Sequence, residues 1–206
     1  MTPKQRAQAR NHPKKGSSIK VEPIKSLEDI EKIRALLRDK PRDLALFDIG
    51  INTNLRAVDL TRLKVGQVRY LHAGDDLVLK EAKTGKHRRI TVNERVYLAA
   101  RNVLKTLPPD VPDDALLFQG KKTMGQKPLT TSYINMLVKG WCKQIGLKGN
   151  YGAHTLRKTF GFVHRKFHCT PIVDLMEMFN HSSQKQTLDY LCIQREEIRN
   201  HYLKVI

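Results

Sequence analysis

The sequence predicts a mainly α-helical domain with one small antiparallel β-sheet, an α+β fold. Three observations predict it. Apolar residues recur at helical spacing through most of the chain. A single pair of strand-like runs flanks a glycine-containing turn, KTGKH at 83–87. No internal repeat or second group of short strands is present to build a larger sheet.

The elements follow in order. Residues 1–25 read as a basic flexible arm and 26–206 as one folded domain. Met1–Lys20 hold six basic residues (Lys4, Arg6, Arg10, Lys14, Lys15, Lys20) and no acid, and Pro3, Pro13 and Gly16 interrupt any helix there. SLED at 26–29 has the form of a capping box, with Ile30, Ile33, Leu36 and Leu37 following at helical spacing. Further helices are expected from Arg42 to about Ile51, after Pro41, and over Leu55–Leu63. Asp76–Ala82 and Arg88–Val92 form the hairpin, and Gly85 permits the positive φ of its turn. Asn93 caps a helix whose inner face is Val96, Ala99, Ala100, Val103 and Leu107. Pro108, Pro109 and Pro112 mark a loop, and helices are expected over about 131–146, 155–168, 171–179 and 194–204.

Charge narrows the function. The chain has 206 residues with 38 Lys and Arg against 20 Asp and Glu, a net charge of +18. The arm carries +6, which leaves +12 on the folded part. That balance implies a polyanionic partner, since basic side chains that neutralise phosphates release condensed counterions. The longest apolar run is Val96–Ala100, far short of the roughly 18 residues of a membrane span or the secretory core. Cys142, Cys169 and Cys192 are too scattered for a disulfide framework. A reduced, cytoplasmic protein with no membrane partner is expected.

Five segments carry chemistry: LRAVDL (55–60), KTGK (83–86), HTLRK (154–158), NHSS (180–183) and TLDY (187–190). In this order they resemble the tyrosine recombinase (phage integrase) family. The resemblance matches Arg56 with Asp59, Lys83 on the hairpin turn, His154 with Arg157, His181, and Tyr190 nine residues later. It spans Leu55 to Leu191 and implies the catalytic-domain fold of that family. It also implies a site-specific recombinase that cleaves and rejoins DNA through a covalent 3′-phosphotyrosine, with no cofactor and no metal.

The residue types suit that chemistry. Planar guanidinium groups at Arg56 and Arg157 match the equatorial oxygens of a phosphoryl transition state. Asp59, one helical turn from Arg56, would orient it. A free phenol ionises only near pH 10, so Tyr190 needs nearby cations and a base to act as a nucleophile. His154 could accept its proton or steady the phosphate, and His181 could donate to a phosphate oxygen. Lys83 would protonate the leaving 5′ oxygen; the resemblance favours it over Lys86, which shares the turn. Lys86, Arg88, Arg89 and Lys158 are expected to contact the DNA backbone. Each residue also has a plainer reading: Arg56 as a local partner of Asp59, Tyr190 as a packed ring beside Leu188 and Leu191, KTGKHRR as a solvated basic turn. Two other signals fail. His164, His168 and Cys169 lack the ligands that would complete a zinc site, and GKKT at 120–123 is preceded by Ala115 where a phosphate loop needs glycine.

Most family members carry a helical domain ahead of the catalytic one. Here 25 residues precede Ser26, so the resemblance implies either a catalytic-domain-only member or a piece of a longer chain. The implied partners are double-stranded DNA and a homo-tetramer on synapsed DNA, with accessory DNA-bending proteins as candidate helpers. The C-terminal segment, with Leu191, Ile198, Tyr202 and Val205 at roughly helical spacing, would dock on a neighbouring copy or on its own core. The rival readings are an inactive DNA-binding protein on the same fold, a type IB topoisomerase-like relaxing enzyme, and an RNA binder. Deletion of residues 1–20 should weaken DNA binding and flatten its salt dependence; an unchanged salt slope removes the arm from the interface.

Overall fold

A computed structural model describes residues 21–120, 126–191, 193, 198, 199 and 202–205. Helices α1 (Leu27–Leu36), α2 (Pro41–Thr53), α3 (Ala57–Leu60) and α4 (Gly66–Arg69) precede a hairpin of β1 (Asp76–Lys80) and β2 (His87–Thr91). Helices α5 (Glu94–Leu104), α6 (Thr131–Gln144), α7 (Ala153–Phe167), α8 (Ile172–Met178) and α9 (Gln184–Leu191) follow. The fold is therefore mainly α with one two-stranded antiparallel sheet, as the sequence predicts.

Local chemistry sets the helix starts. The Ser26 hydroxyl accepts from the Asp29 amide at 3.4 Å, and the Asn93 side chain accepts from the Val96 amide at 2.9 Å. Pro41 opens α2, where its missing N–H has no partner to lose. Asn54 closes α2 in the left-handed region at φ 46°, a conformation asparagine tolerates better than most residues.

Helix α2 is buried nearly all round and is the central rod of the core. It buries Ala45, Leu46, Phe47, Ile49 and Ile51 and packs against α5 and α7. Each such fully buried aliphatic or aromatic side chain contributes about 1.5–3 kcal/mol. Gly50 lets α2 and α7 approach closely, since a Cβ there would lie 2.7 Å from Leu156 Cδ1.

A second, smaller cluster joins Phe160 of α7, Leu175 and Phe179 at α8, and Leu191 of α9, with Tyr190 leaning on it. Gly161 makes room for the Phe179 ring, whose Cζ would sit 2.8 Å from an added Cβ. This cluster fastens α9 to the body of the domain.

The structure departs from the expectations at several points. Residues 21–25, assigned to the arm, lie against the domain: the Glu22 amide bonds the Asn150 carbonyl at 2.8 Å, the Ile24 amide bonds Thr159 Oγ1 at 2.9 Å, and Ile24 is buried. The apolar residues Val21 and Ile24 next to the arm were the available signal. The rest of the arm, 1–20, lies outside the described residues. The helix expected over Leu55–Leu63 contracts to Ala57–Leu60, because Asn54 turns the chain and Arg56 is extended. Within the helix expected near 194–204, Ile198, Arg199 and Tyr202 are helical, and 194–197, 200 and 201 lie outside the described residues. Among the described residues no helix is long and apolar enough to cross a membrane.

Ile24→Ala should cost about 2–5 kcal/mol in urea unfolding, the usual range for emptying a buried Ile site. A loss below about 1 kcal/mol would show that the 21–25 segment is not anchored.

Candidate active site

Arg157 lies in the first turns of α7 and is almost wholly buried. Its Nη1 donates to the Asn54 carbonyl. Its Nη2 donates to the Phe179 carbonyl at 2.7 Å and to His181 Nε2 at 3.3 Å. No carboxylate pairs with it in these contacts, and its buried Nε has no hydrogen-bond partner. Burial, then the charges of Arg88 and Arg56, push its pKa down to about 9. A buried cation without a counter-anion is costly. This site is built to receive negative charge.

The other members gather around it. Tyr190 on α9 lays its ring 5.5 Å from the Arg157 guanidinium carbon and 5.3 Å from the His181 ring. Its hydroxyl is 3.5 Å from His154 Nδ1. Because His181 Nε2 accepts from Arg157, the ring proton sits on Nδ1 and donates to Thr187 Oγ1 at 3.0 Å. Burial first, then Arg157, Arg56 and Arg88, push His181 down to about 4. Burial also lowers His154, helped by Arg157, Lys158, Lys83 and Arg56. Both imidazoles are neutral at pH 7, so His154 can take a proton from the phenol. Arg56, Lys83, Lys86, His181 and Tyr190 line one cleft of about 380 Å³. The six residues singled out as catalytic thus meet on one face.

Three supporting assignments need correction. Asp59 does not pair with Arg56; its Oδ1 accepts from the Ala82 amide at 2.7 Å and so holds the backbone just before Lys83. The carboxylate beside Arg56 is Glu81, whose Oε2 lies 2.7 Å from Arg56 Nη1. Arg88 is not a surface contact. It faces inward, paired with Glu81 Oε1 at 3.3 Å and bonded to the Asn54 side chain and the Met178 carbonyl. Burial, opposed by Glu81, lowers its pKa. Lys158 is likewise buried, with Nζ 5.9 Å from the centre of the Tyr190 ring. Lys86 and Arg89 are exposed as expected, and Arg89 pairs with Asp76 at 3.3 Å.

Glu81 and Asn54 escaped the sequence reading. A signal existed for Glu81 and Arg88: strands alternate faces, so Leu77 and Leu79 carry Glu81 inward, and Ile90 and Val92 carry Arg88 inward. Nothing comparable marked Asn54, which matters because its left-handed turn aims its carbonyl and side chain at both arginines. Among the described residues no group of three or more His, Cys, Asp and Glu could hold a metal ion. His164 and His168 instead contact each other edge to face.

Fold and cleft together define a tyrosine-type site-specific recombinase domain. The phage integrase family model matches residues 25–197, and the chain belongs to that family. It is 33% identical over 183 residues to the probable integrase/recombinase YoeC of Bacillus subtilis (strain 168), covering 88% of this chain and 95% of that protein. It is 27% identical over 162 residues to tyrosine recombinase XerC of Caldanaerobacter subterraneus subsp. tengcongensis, covering 78% of this chain but 44% of that protein. Among solved structures, XerA recombinase superposes with a TM-score of 0.70 at 21% identity, over 93% of this chain and 65% of that one. XerH recombinase, solved in a post-cleavage complex with its palindromic difH substrate, also gives 0.70 at 22% identity, over 90% of this chain and 53% of that one. The chain therefore spans about half to two thirds of the XerC, XerA and XerH chains, and nearly all of YoeC.

The depressed histidines make stability depend on pH. Both are neutral when folded and have ordinary values near 6.5 when unfolded, so the unfolded chain binds more protons as pH falls below 6.5. Their contribution is complete above that value and is lost progressively towards pH 4. Urea midpoints should fall from pH 7 to pH 5, and His181→Asn should fall less. An equal fall in both proteins would place the effect elsewhere.

Proposed function

We propose that this domain cleaves and rejoins double-stranded DNA through a 3′-phosphotyrosine formed on Tyr190. The observation that carries the reading is the excess of positive charge around Arg157, with Tyr190 poised over it and a neutral His154 beside the phenol. Arg56 and Arg157 bind the non-bridging oxygens of the scissile phosphate. Tyr190 Oη forms a bond to phosphorus as its proton passes to His154. The bond from phosphorus to the 5′ oxygen breaks, and that oxygen takes a proton from Lys83. The polarity follows the family resemblance. The new ester retains the energy of the broken bond, so attack by a 5′ hydroxyl rejoins the strand and returns the protons by the same route. His181, whose ring proton goes to Thr187 here, holds Arg157 and can reach a phosphate oxygen by releasing a partner.

Lys86, exposed at the cleft, and Arg89, exposed on the outer face of the hairpin, are offered for backbone contacts, each adding about one counterion to the salt dependence. The complexes of XerH support a DNA partner. Assembly as four copies on synapsed DNA, with or without bending proteins, belongs to the same proposal, as does a cytoplasmic location.

A nicked suicide substrate carrying the protein's recombination site tests the chemistry. Wild type should accumulate a covalent adduct; Tyr190→Phe should form none and keep its DNA affinity. Failure of wild type to form an adduct would leave an inactive binding protein, and relaxation without exchange between duplexes would leave a topoisomerase-like enzyme.

A further inference from the structure

Glu81 sits at the foot of the hairpin turn, and its side chain is completely buried. Three groups from different parts of the chain reach its two oxygens. Oε2 lies 2.7 Å from Arg56 Nη1 and accepts a 2.7 Å hydrogen bond from Thr84 Oγ1. Oε1 lies 3.3 Å from Arg88 Nη1. The Glu81 backbone closes the same turn, donating to the Lys86 carbonyl and accepting from the Gly85 amide, both at 2.9 Å. Burial would raise its pKa, but the Thr84 hydroxyl, Arg56 and Arg88 outweigh it and hold the carboxyl below its ordinary value. A carboxylate so placed is fully charged at neutral pH and has fixed partners.

We propose that Glu81 is a positioning residue that sets Arg56 and the Lys83-bearing turn in one register, the link to the turn running through the neighbouring Thr84 hydroxyl. The inference rests on the roles given above to Arg56 and Lys83. A lysine on an exposed turn has several rotatable bonds and no rigid support, so its delivery of a proton depends on where the turn is held. Thr84, next to Lys83, is the side chain that ties the exposed tip of the turn to the buried carboxylate. Arg56 grips the phosphate on which that proton must arrive, and it is held by the same oxygen. One buried carboxylate therefore aligns the group that binds the phosphate with the group that protonates the leaving oxygen. A purely structural Glu81 would do no more than neutralise Arg88.

Two substrates separate these roles: an ordinary nicked duplex, and the same duplex with sulfur in place of the bridging 5′ oxygen. A thiolate leaves without a proton, so defects in proton delivery vanish on the sulfur substrate. Lys83→Ala should be slowed about 100-fold or more on oxygen and restored on sulfur. Thr84→Val leaves both ion pairs of Glu81 intact; it should be slowed about 10- to 100-fold on oxygen, restored on sulfur, and Thr84→Ser should behave as wild type. Glu81→Gln should be slowed on both substrates, because Arg56 also loses its support. Thr84→Val cleaving oxygen at the wild-type rate, or slowed equally on both, overturns the link to the turn. Glu81→Gln at the wild-type rate on sulfur overturns the link to Arg56. If Lys83→Ala is not restored on sulfur, the general-acid assignment itself falls and takes the inference with it, an outcome distinct from failure of the Thr84 variant alone. Thr84 is exposed, so its variants test the idea even if Glu81→Gln does not fold.

Discussion

Three guanidinium groups, those of Arg56, Arg88 and Arg157, crowd together here, and Glu81 is the carboxylate shared by the first two. Like charges at this range repel, and burial strengthens the repulsion. The fold tolerates it by supplying neutral oxygens: the carbonyls of Asn54, Met178 and Phe179 accept from Arg157 and Arg88. Carbonyl dipoles solvate a cation without neutralising it. The cleft is left short of negative charge, which is the deficit the proposed phosphodiester substrate would fill.

That arrangement explains why α2 must end where it does. The left-handed turn at Asn54 frees the last carbonyl of the rod from helical bonding and presents it to Arg157, while the side chain bonds Arg88 and, through Nδ2, the Met178 carbonyl at 2.9 Å. The end of α8 is gripped from the same place. His181 follows that end directly, and its ring stacks on Phe179 with the planes 10° apart. Tyr190 rests on the same phenylalanine. The small cluster of Phe160, Leu175, Phe179 and Leu191 thus sets the height of the Tyr190 ring above the Arg157 guanidinium, so a minor hydrophobic core positions the residue proposed as nucleophile.

Several features were legible in the order of residues because they depend on neighbours along the chain. Helix starts at Ser26 and Asn93, the turn at Gly85 and the helical rhythm of α5–α7 are local effects of capping, φ freedom and periodicity. The six residues proposed as catalytic were singled out by their types and spacing, and the fold brings them to one face. The partners of those residues were not. Asp59 was assigned to Arg56 because it is three residues away, yet the short helix turns its carboxylate to the hairpin backbone. Arg88 was read as a DNA contact because it belongs to the basic KTGKHRR stretch, and the inward face of its strand was overlooked.

By itself, then, the sequence determined most element types and the basic character, which follow from composition or from contacts a few residues long, and it nominated the groups proposed to meet a phosphate through the order and spacing of five segments. Only the tertiary structure decided which carboxylate serves which arginine, which cations turn inward, and where the protons on the histidines lie. Many of those choices, such as Glu81 for Arg56 or Asn54 for Arg157, lie between partners far apart along the chain, and a one-dimensional pattern holds no distance between them until packing brings them together.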